Sequence, residues 1–173
     1  MDRIYHHIPC PSYKGKLYLS GVNGLDYLDE MEVKYIVSMF PAFQNQKIGD
    51  GVEQDEIDIA DRWDIGTLGK MNSTLDNVVG KILRSLRRGD NVLVHCFAGI
   101  SRSTTVVLDF LIKHEPLVID PKNPVTSALC YVKIFRKQAN PNPGFLQLLE
   151  ERNTKHLDTE DQTFTSNFDF TLL

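Results

Sequence analysis

The run NVLVHC, residues 91–96, constrains the fold most, because Val92, Leu93 and Val94 stand side by side and make both faces of a strand apolar. Such a strand belongs in the middle of a sheet covered on both sides. The chain leaves it through FAGISRS, where Gly99 permits a tight backbone path, and continues as TTVVLDFLIKHE, an apolar helix that stops before Pro116. Strand, short turn and helix in direct succession predict a single α/β domain with a central, mostly parallel sheet flanked by helices.

The rest of the chain fits that frame. KLYLSG, residues 16–21, reads as an early strand ending at a glycine turn, residues 25–31 as a short helix, and VKYIVSMF, residues 33–40, as a core strand stopped by Pro41. Residues 42–54 read as a loop, EIDIA (residues 56–60) as an alternating strand, and DRWDIG as a loop beside its end. Leu75, Val78, Val79, Ile82, Leu83 and Leu86 recur at steps of three and four, which predicts an amphipathic helix over 73–86 with a stop at Gly89. Further helices are expected over 126–138 and in FLQLLEERNTKHL after the turn NPNPG. A boundary at 157/158 separates this domain from a polar, then aromatic tail, 158–173, read as loosely attached or as a docking segment.

Cys96 ends the buried strand and Arg102 opens the following helix. A loop bent between them can turn the amides of Phe97, Ala98, Gly99, Ile100, Ser101 and Arg102 inward, and the helix adds its positive N-terminal end. The result is a nest for a phosphate-sized anion. A cysteine at its centre is stabilised as a thiolate nucleophile. Arg102 offers a planar fork for nonbridging phosphoryl oxygens. His95 is expected to hold the cysteine and loop by hydrogen bonding, Ser103 to donate a hydrogen bond to the sulfur, and Ser101 to support the loop. Taken alone, a cysteine at a strand end is ordinarily a small buried hydrophobe and an arginine six positions on a surface charge; the full series gives each residue a task.

HCFAGISRS resembles the HCxxGxxRS signature of the cysteine phosphatases, and the surrounding chain resembles the dual-specificity protein phosphatases. KLYLSG is similar to their early strand, VKYIVSM to the next core strand, IDIAD to the strand before the acid loop and PNPGFLQLL to the start of their final helix. The resemblance implies a hydrolase that dephosphorylates phosphotyrosine and phosphoserine or phosphothreonine in proteins through a phosphocysteine intermediate, with no metal or other cofactor. It implies phosphoprotein partners and a pocket shallower than that of the larger tyrosine-specific relatives.

Such chemistry needs one carboxylic acid to protonate the leaving oxygen and then to activate water. Asp61 fits the pattern IxIxD, whereas Asp64 lies at the separation from Cys96 that resembles the family's usual one, and both stay open as the acid. Asp55, Glu56 and Asp58 have weaker claims as solvated loop residues. Trp63 either lines the mouth of the site or pins the acid loop, Arg62 reads as a surface charge, Arg136 as a structural pairing residue and Asn142 as a turn former.

The net charge of −4, from 23 acidic and 19 basic side chains, gives no general attraction to nucleic acid. Relatives acting on phosphoinositides or on RNA 5′ ends use the same loop, but FAGIS carries no cation. A noncatalytic phosphoprotein-binding module is the remaining rival. No long apolar run opens the chain, so cytoplasm, with nuclear access left open, is the expected location, and no membrane segment is expected. Three cysteines and five histidines, of which His6 and His7 are adjacent and the other three widely separated, give neither a disulfide framework nor a zinc pattern. Cys10 and Cys130 read as structural or incidental, and the sequence leaves open whether the chain forms a homodimer.

Overall fold

The computed structural model describes residues 4–41 and 48–164; for 155–164 only the backbone is described. Two strands come first, β1 (Tyr5–Ile8) and β2 (Leu17–Ser20), followed by a 3-10 segment (Val22–Tyr27) and the short helix α1 (Leu28–Met31). β3 (Val33–Ser38) and β4 (Glu53–Glu56) precede the long helix α2 (Ile65–Arg88). β5 (Asn91–His95) leads directly into α3 (Arg102–His114), and α4 (Pro124–Phe135) and α5 (Pro143–Phe164) complete the domain. The sheet order is β1-β2-β5-β3-β4. β1 alone runs antiparallel; β5 is flanked by parallel partners on both sides, pairing Ser20↔His95 with β2 and Ser38↔His95 with β3.

The period of two in β5 explains the consecutive apolar residues that mark it as central. Val92 and Val94 face a large core with Leu75, Val79 and Ile82 of α2 and Val107, Phe110 and Leu111 of α3. Leu93 faces the other way, into a smaller cluster with Tyr18, Leu25, Met31, Val33 and Ile36. One face of the sheet is therefore covered by the long helices and the other by the 3-10 segment and α1.

Several boundaries differ from the sequence reading. The strand expected over 56–60 lies earlier, at β4, where Glu53–Glu56 pairs with Tyr35–Ser38. Ile57 makes a last bond to the sheet through its N–H to the Ser38 carbonyl (2.8 Å), and Ile59 then turns into the core, which mimics strand alternation. α2 begins eight residues before the expected start of 73, because Asp64 caps it through the Thr67 N–H (3.0 Å). Its end is as expected: Gly89, at φ 92°, returns its N–H to the Leu86 carbonyl, while the Asp90 N–H reaches Ser85. The early helix divides into the 3-10 segment and α1, and α4 stops at Phe135 rather than 138. α5 runs through the boundary at 157/158 to Phe164; residues 165–173 of the tail and 42–47 of the expected loop lie outside the described residues.

Candidate active site

Cys96 sits at the carboxyl end of β5 and is 2% exposed. Its Sγ accepts the Gly99 N–H at 3.2 Å and lies 3.2 Å from the Ser103 Oγ. Gly99 adopts φ 66°, and a Cβ there would collide with the Ser20 carbonyl and the Gly21 nitrogen. Only glycine allows the loop to press against the end of β2 in this way. Ser101 precedes the first turn of α3 and makes no side-chain cap, so the helix presents its N-terminal amides beside the sulfur without an internal oxygen competing for them.

Arg102 opens α3. Its Nη1 donates to the Ile59 carbonyl (2.9 Å), and the guanidinium carbon lies 5.4 Å from the centroid of the Phe40 ring. The buried Nε–H has no acceptor among the described residues. A buried donor of this kind costs stability unless an acceptor reaches it, and a phosphoryl oxygen has the right chemistry.

Behind the cysteine, His95 is fully buried and its Nε2 lies 2.6 Å from the Ser38 Oγ, which also accepts the Gln54 Nε2–H at 2.9 Å. Burial pulls the imidazole pKa down to about 4. The neutral ring can then accept the Ser38 hydroxyl proton at Nε2 and point its Nδ1–H toward the Cys96 carbonyl (3.4 Å). Ser38 and Gln54 come to this site from two neighbouring strands, and no spacing in the sequence marks them. Hydrogen bonding is the role expected of His95, and its ring nitrogens lie within reach of Ser38 and of the Cys96 carbonyl.

The two aspartates expected as alternatives for the acid occupy different environments. Asp61 Oδ1 accepts the Ser101 hydroxyl at 2.6 Å and the Asn142 Nδ2–H at 2.8 Å, which ties it to the cysteine loop. Asp64 accepts both the N–H (3.0 Å) and the hydroxyl (2.8 Å) of Thr67 and lies 3.7 Å from Arg62. The Thr67 backbone and side-chain hydrogen bonds, more than Arg62, hold the Asp64 pKa below the usual carboxylate range. Asn142 also has the local role expected of it, since its Oδ1 accepts the Phe145 N–H at 2.9 Å at the start of α5.

An open cleft lies along Asp61, Arg62, Trp63 and Asp64. Trp63 is 64% exposed, yet its Cβ abuts Gly144, where any side chain would collide with it. The tryptophan thus anchors the segment 61–64 to α5 at its base and lines the cleft. Phe97, Ala98 and Ile100 of the cysteine loop are exposed, and Phe97 packs against Phe40 with ring centroids 5.5 Å apart. Cys10 is buried, and burial, reinforced by Glu115, pushes its thiol up to about 12, whereas Cys130 is exposed on α4. Among the described residues no cluster of three or more His, Cys, Asp or Glu is arranged to hold a metal ion, and no helix is long and apolar enough to cross a membrane.

A cysteine-bearing loop between a central parallel strand and a helix, closed by an arginine, is the arrangement of the cysteine phosphatases. The model of the dual specificity phosphatase catalytic domain matches residues 17–155, and the chain belongs to that family. It is 38% identical over 90 residues to dual specificity protein phosphatase 1 of Arabidopsis thaliana, an alignment covering 52% of this chain and 42% of that protein. The chain thus spans less than half the length of that curated relative. Among solved structures, the Yvh1 phosphatase domain from Chaetomium thermophilum superposes with a TM-score of 0.69 at 25% identity, covering 88% of this chain and 97% of that one. PTPMT1 in complex with PI(5)P shares the fold, with a TM-score of 0.68 at 22% identity over 91% of this chain and 99% of that one.

Proposed function

We propose that this phosphatase removes phosphate from phosphotyrosine and from phosphoserine or phosphothreonine in proteins, through a phosphocysteine intermediate and with no cofactor. The observation that carries the reading is the Cys96 sulfur itself, held among the Gly99 amide, the Ser103 hydroxyl and the first turn of α3. In the first step the Cys96 thiolate attacks phosphorus in line. The bond from phosphorus to the side-chain oxygen breaks, and Asp61 gives its proton to that oxygen. Arg102 and the loop amides hold the three nonbridging oxygens as charge shifts. Water then attacks the phosphocysteine and passes a proton to the Asp61 carboxylate. The sulfur–phosphorus bond breaks with its electrons returning to sulfur, which accepts a hydrogen bond from Ser103, and inorganic phosphate leaves.

The choice of Asp61 over Asp64 is supported by their partners. Asp61 bonds to the cysteine loop and keeps Oδ2 for a proton, while Asp64 uses both oxygens on Thr67 as the cap of α2. A protein substrate is supported by the rim, where Phe97, Ala98 and Ile100 bring no cation to match the several phosphates of an inositide headgroup. The test is phosphate release from phosphotyrosine and phosphothreonine peptides, a phosphoinositide and an RNA 5′-phosphate, with C96S as the blank. Turnover of both peptides well above the other two substrates is expected. Turnover of the phosphoinositide or the RNA with neither peptide cleaved would overturn the protein-substrate reading.

A further inference from the structure

Arg136 is 3% exposed at the end of α4, and among the described residues no carboxylate forms an ion pair with it. A guanidinium withdrawn from water without a counter-charge is costly, and its donors must be satisfied by strong acceptors. Here Nε–H donates to the Gly99 carbonyl at 2.7 Å and Nη2–H to the Ala98 carbonyl at 3.1 Å. Nη1–H reaches the Nδ1 of His6 at 2.9 Å and, at 3.5 Å, the Ile4 carbonyl on β1's approach. Burial draws the arginine pKa down, and negative charge at Cys96 opposes that shift.

The contacts to the cysteine loop form a series. The Phe97 carbonyl accepts the Val22 N–H (3.0 Å), the Ala98 and Gly99 carbonyls accept Arg136, and the Ile100 carbonyl accepts the Asn140 N–H (2.8 Å). Four consecutive carbonyls are thus fixed by donors on the outside of the loop. In a trans peptide the C=O and the following N–H point in opposite directions, and no peptide here is cis. Pinning the carbonyls outward therefore turns the N–H groups of residues 98–101 inward, and the Gly99 N–H on the Cys96 sulfur is one of them.

We infer that Arg136 is a positioning residue for phosphoryl transfer: by holding the Ala98 and Gly99 carbonyls from behind, it keeps the loop amides aimed at the phosphate and adds a positive charge behind the anion. It touches neither the substrate nor the reacting atoms. The inference rests on the phosphatase reading for its effect on turnover, but its effect on anion binding stands apart from it.

The test compares wild type with R136K, R136Q and R136M, measuring the dissociation constant of tungstate, kcat and KM on an aryl phosphate, and Tm. R136M is expected to bind tungstate at least tenfold more weakly and to lose about a hundredfold in kcat, the scale of losing one preorganised oxyanion donor. R136Q, which keeps two donors without the charge, should fall between R136M and R136K, and R136K should recover most of both quantities. A purely structural arginine would lower Tm in step with the substitutions and leave tungstate affinity and kcat of the folded enzyme unchanged. Wild-type tungstate affinity and kcat in folded R136M overturn the inference, and if R136M does not fold, the same values in R136Q do so. Tungstate binding by a wild type that cleaves no phosphate ester would sink the phosphatase reading alone and leave this one to the affinity series.

Discussion

At the residue scale, the site is an arrangement of groups whose usual partners have been replaced. Among the described residues no carboxylate pairs with Arg102 or Arg136; their guanidinium groups reach backbone carbonyls, and Arg102 keeps a buried N–H without an acceptor there. His95 is neutral because burial penalises its charged form. Its pKa lies near 6.5 in the unfolded chain and about 4 in the folded one, so the unfolded state binds more protons between those values. The contribution to stability is present above pH 6.5 and is lost as pH falls toward 4, amounting to on the order of 3 kcal/mol. Urea unfolding at a series of pH values should show this loss in wild type and a clearly smaller one in H95N; equal slopes between pH 6.5 and 4 in the two proteins would contradict the assignment. The sequence displayed Cys96, Arg102 and Ser103 openly, because their spacing alone spans the loop. It left Asp61 and Asp64 unresolved, since the difference between them lies in Ser101, Asn142 and Thr67, of which the first two reach Asp61 only through the fold.

At the element scale, legibility follows the strength of periodic burial. β5 and the C-terminal half of α2 stand out because tertiary contacts use an unbroken apolar pattern. The first turns of α2 did not, because Gly66 and Gly69 weaken helix propensity by roughly 1 kcal/mol each and Ile65 faces solvent at 92% exposure. The sequence places β4 three residues too late because all four of its residues are polar and it lies at the sheet edge, while the apolar Ile57 and Ile59 that follow it pack on the core. α2, α3 and α5 are held together by Asp109, fully buried on α3. It accepts the Arg152 Nε–H at 3.1 Å and lies 3.0 Å from Lys113, while Arg152 also reaches Asp76 on α2 at 2.6 Å. Removing the carboxylate leaves Arg152 and Lys113, both largely buried, to share the exposed Asp76 as counter-charge. D109A should lose about 3–5 kcal/mol in urea unfolding while the folded fraction keeps its kcat on an aryl phosphate. A loss below about 1 kcal/mol would show that the contact is a surface pair in its energetics.

At the scale of the whole molecule, the candidate active site is where the separate layers meet. The central strand delivers Cys96, α3 begins directly after the loop, the 3-10 segment and the α4–α5 connection fix its carbonyls, and the segment after β4 supplies Ile59 and Asp61. The order β1-β2-β5-β3-β4 makes this convergence possible, because β5 has a parallel neighbour on each side whose following segment ends near the same edge. The sequence predicted the class of fold and the strand–loop–helix around Cys96, since both are written in local patterns. It said little about the outer support of that loop, because His6, Arg136 and Asn140 approach it from distant parts of the chain.

The central claim, that Cys96 transfers the phosphoryl group while Asp61 serves as acid and then base, is tested most directly by a pH profile of phosphate release. Phosphotyrosine and phosphothreonine peptides would be compared on wild type, D61N, D64N and C96S. C96S should release no phosphate, and D61N should lose about a hundredfold or more in kcat together with the alkaline limb of the profile, most severely on phosphothreonine, whose alkoxide leaves poorly without a proton. D64N, whose amide oxygen still caps α2, should keep both kcat and the shape of the profile. Loss of the alkaline limb in D64N with D61N unchanged, or phosphate release by C96S, would contradict the account.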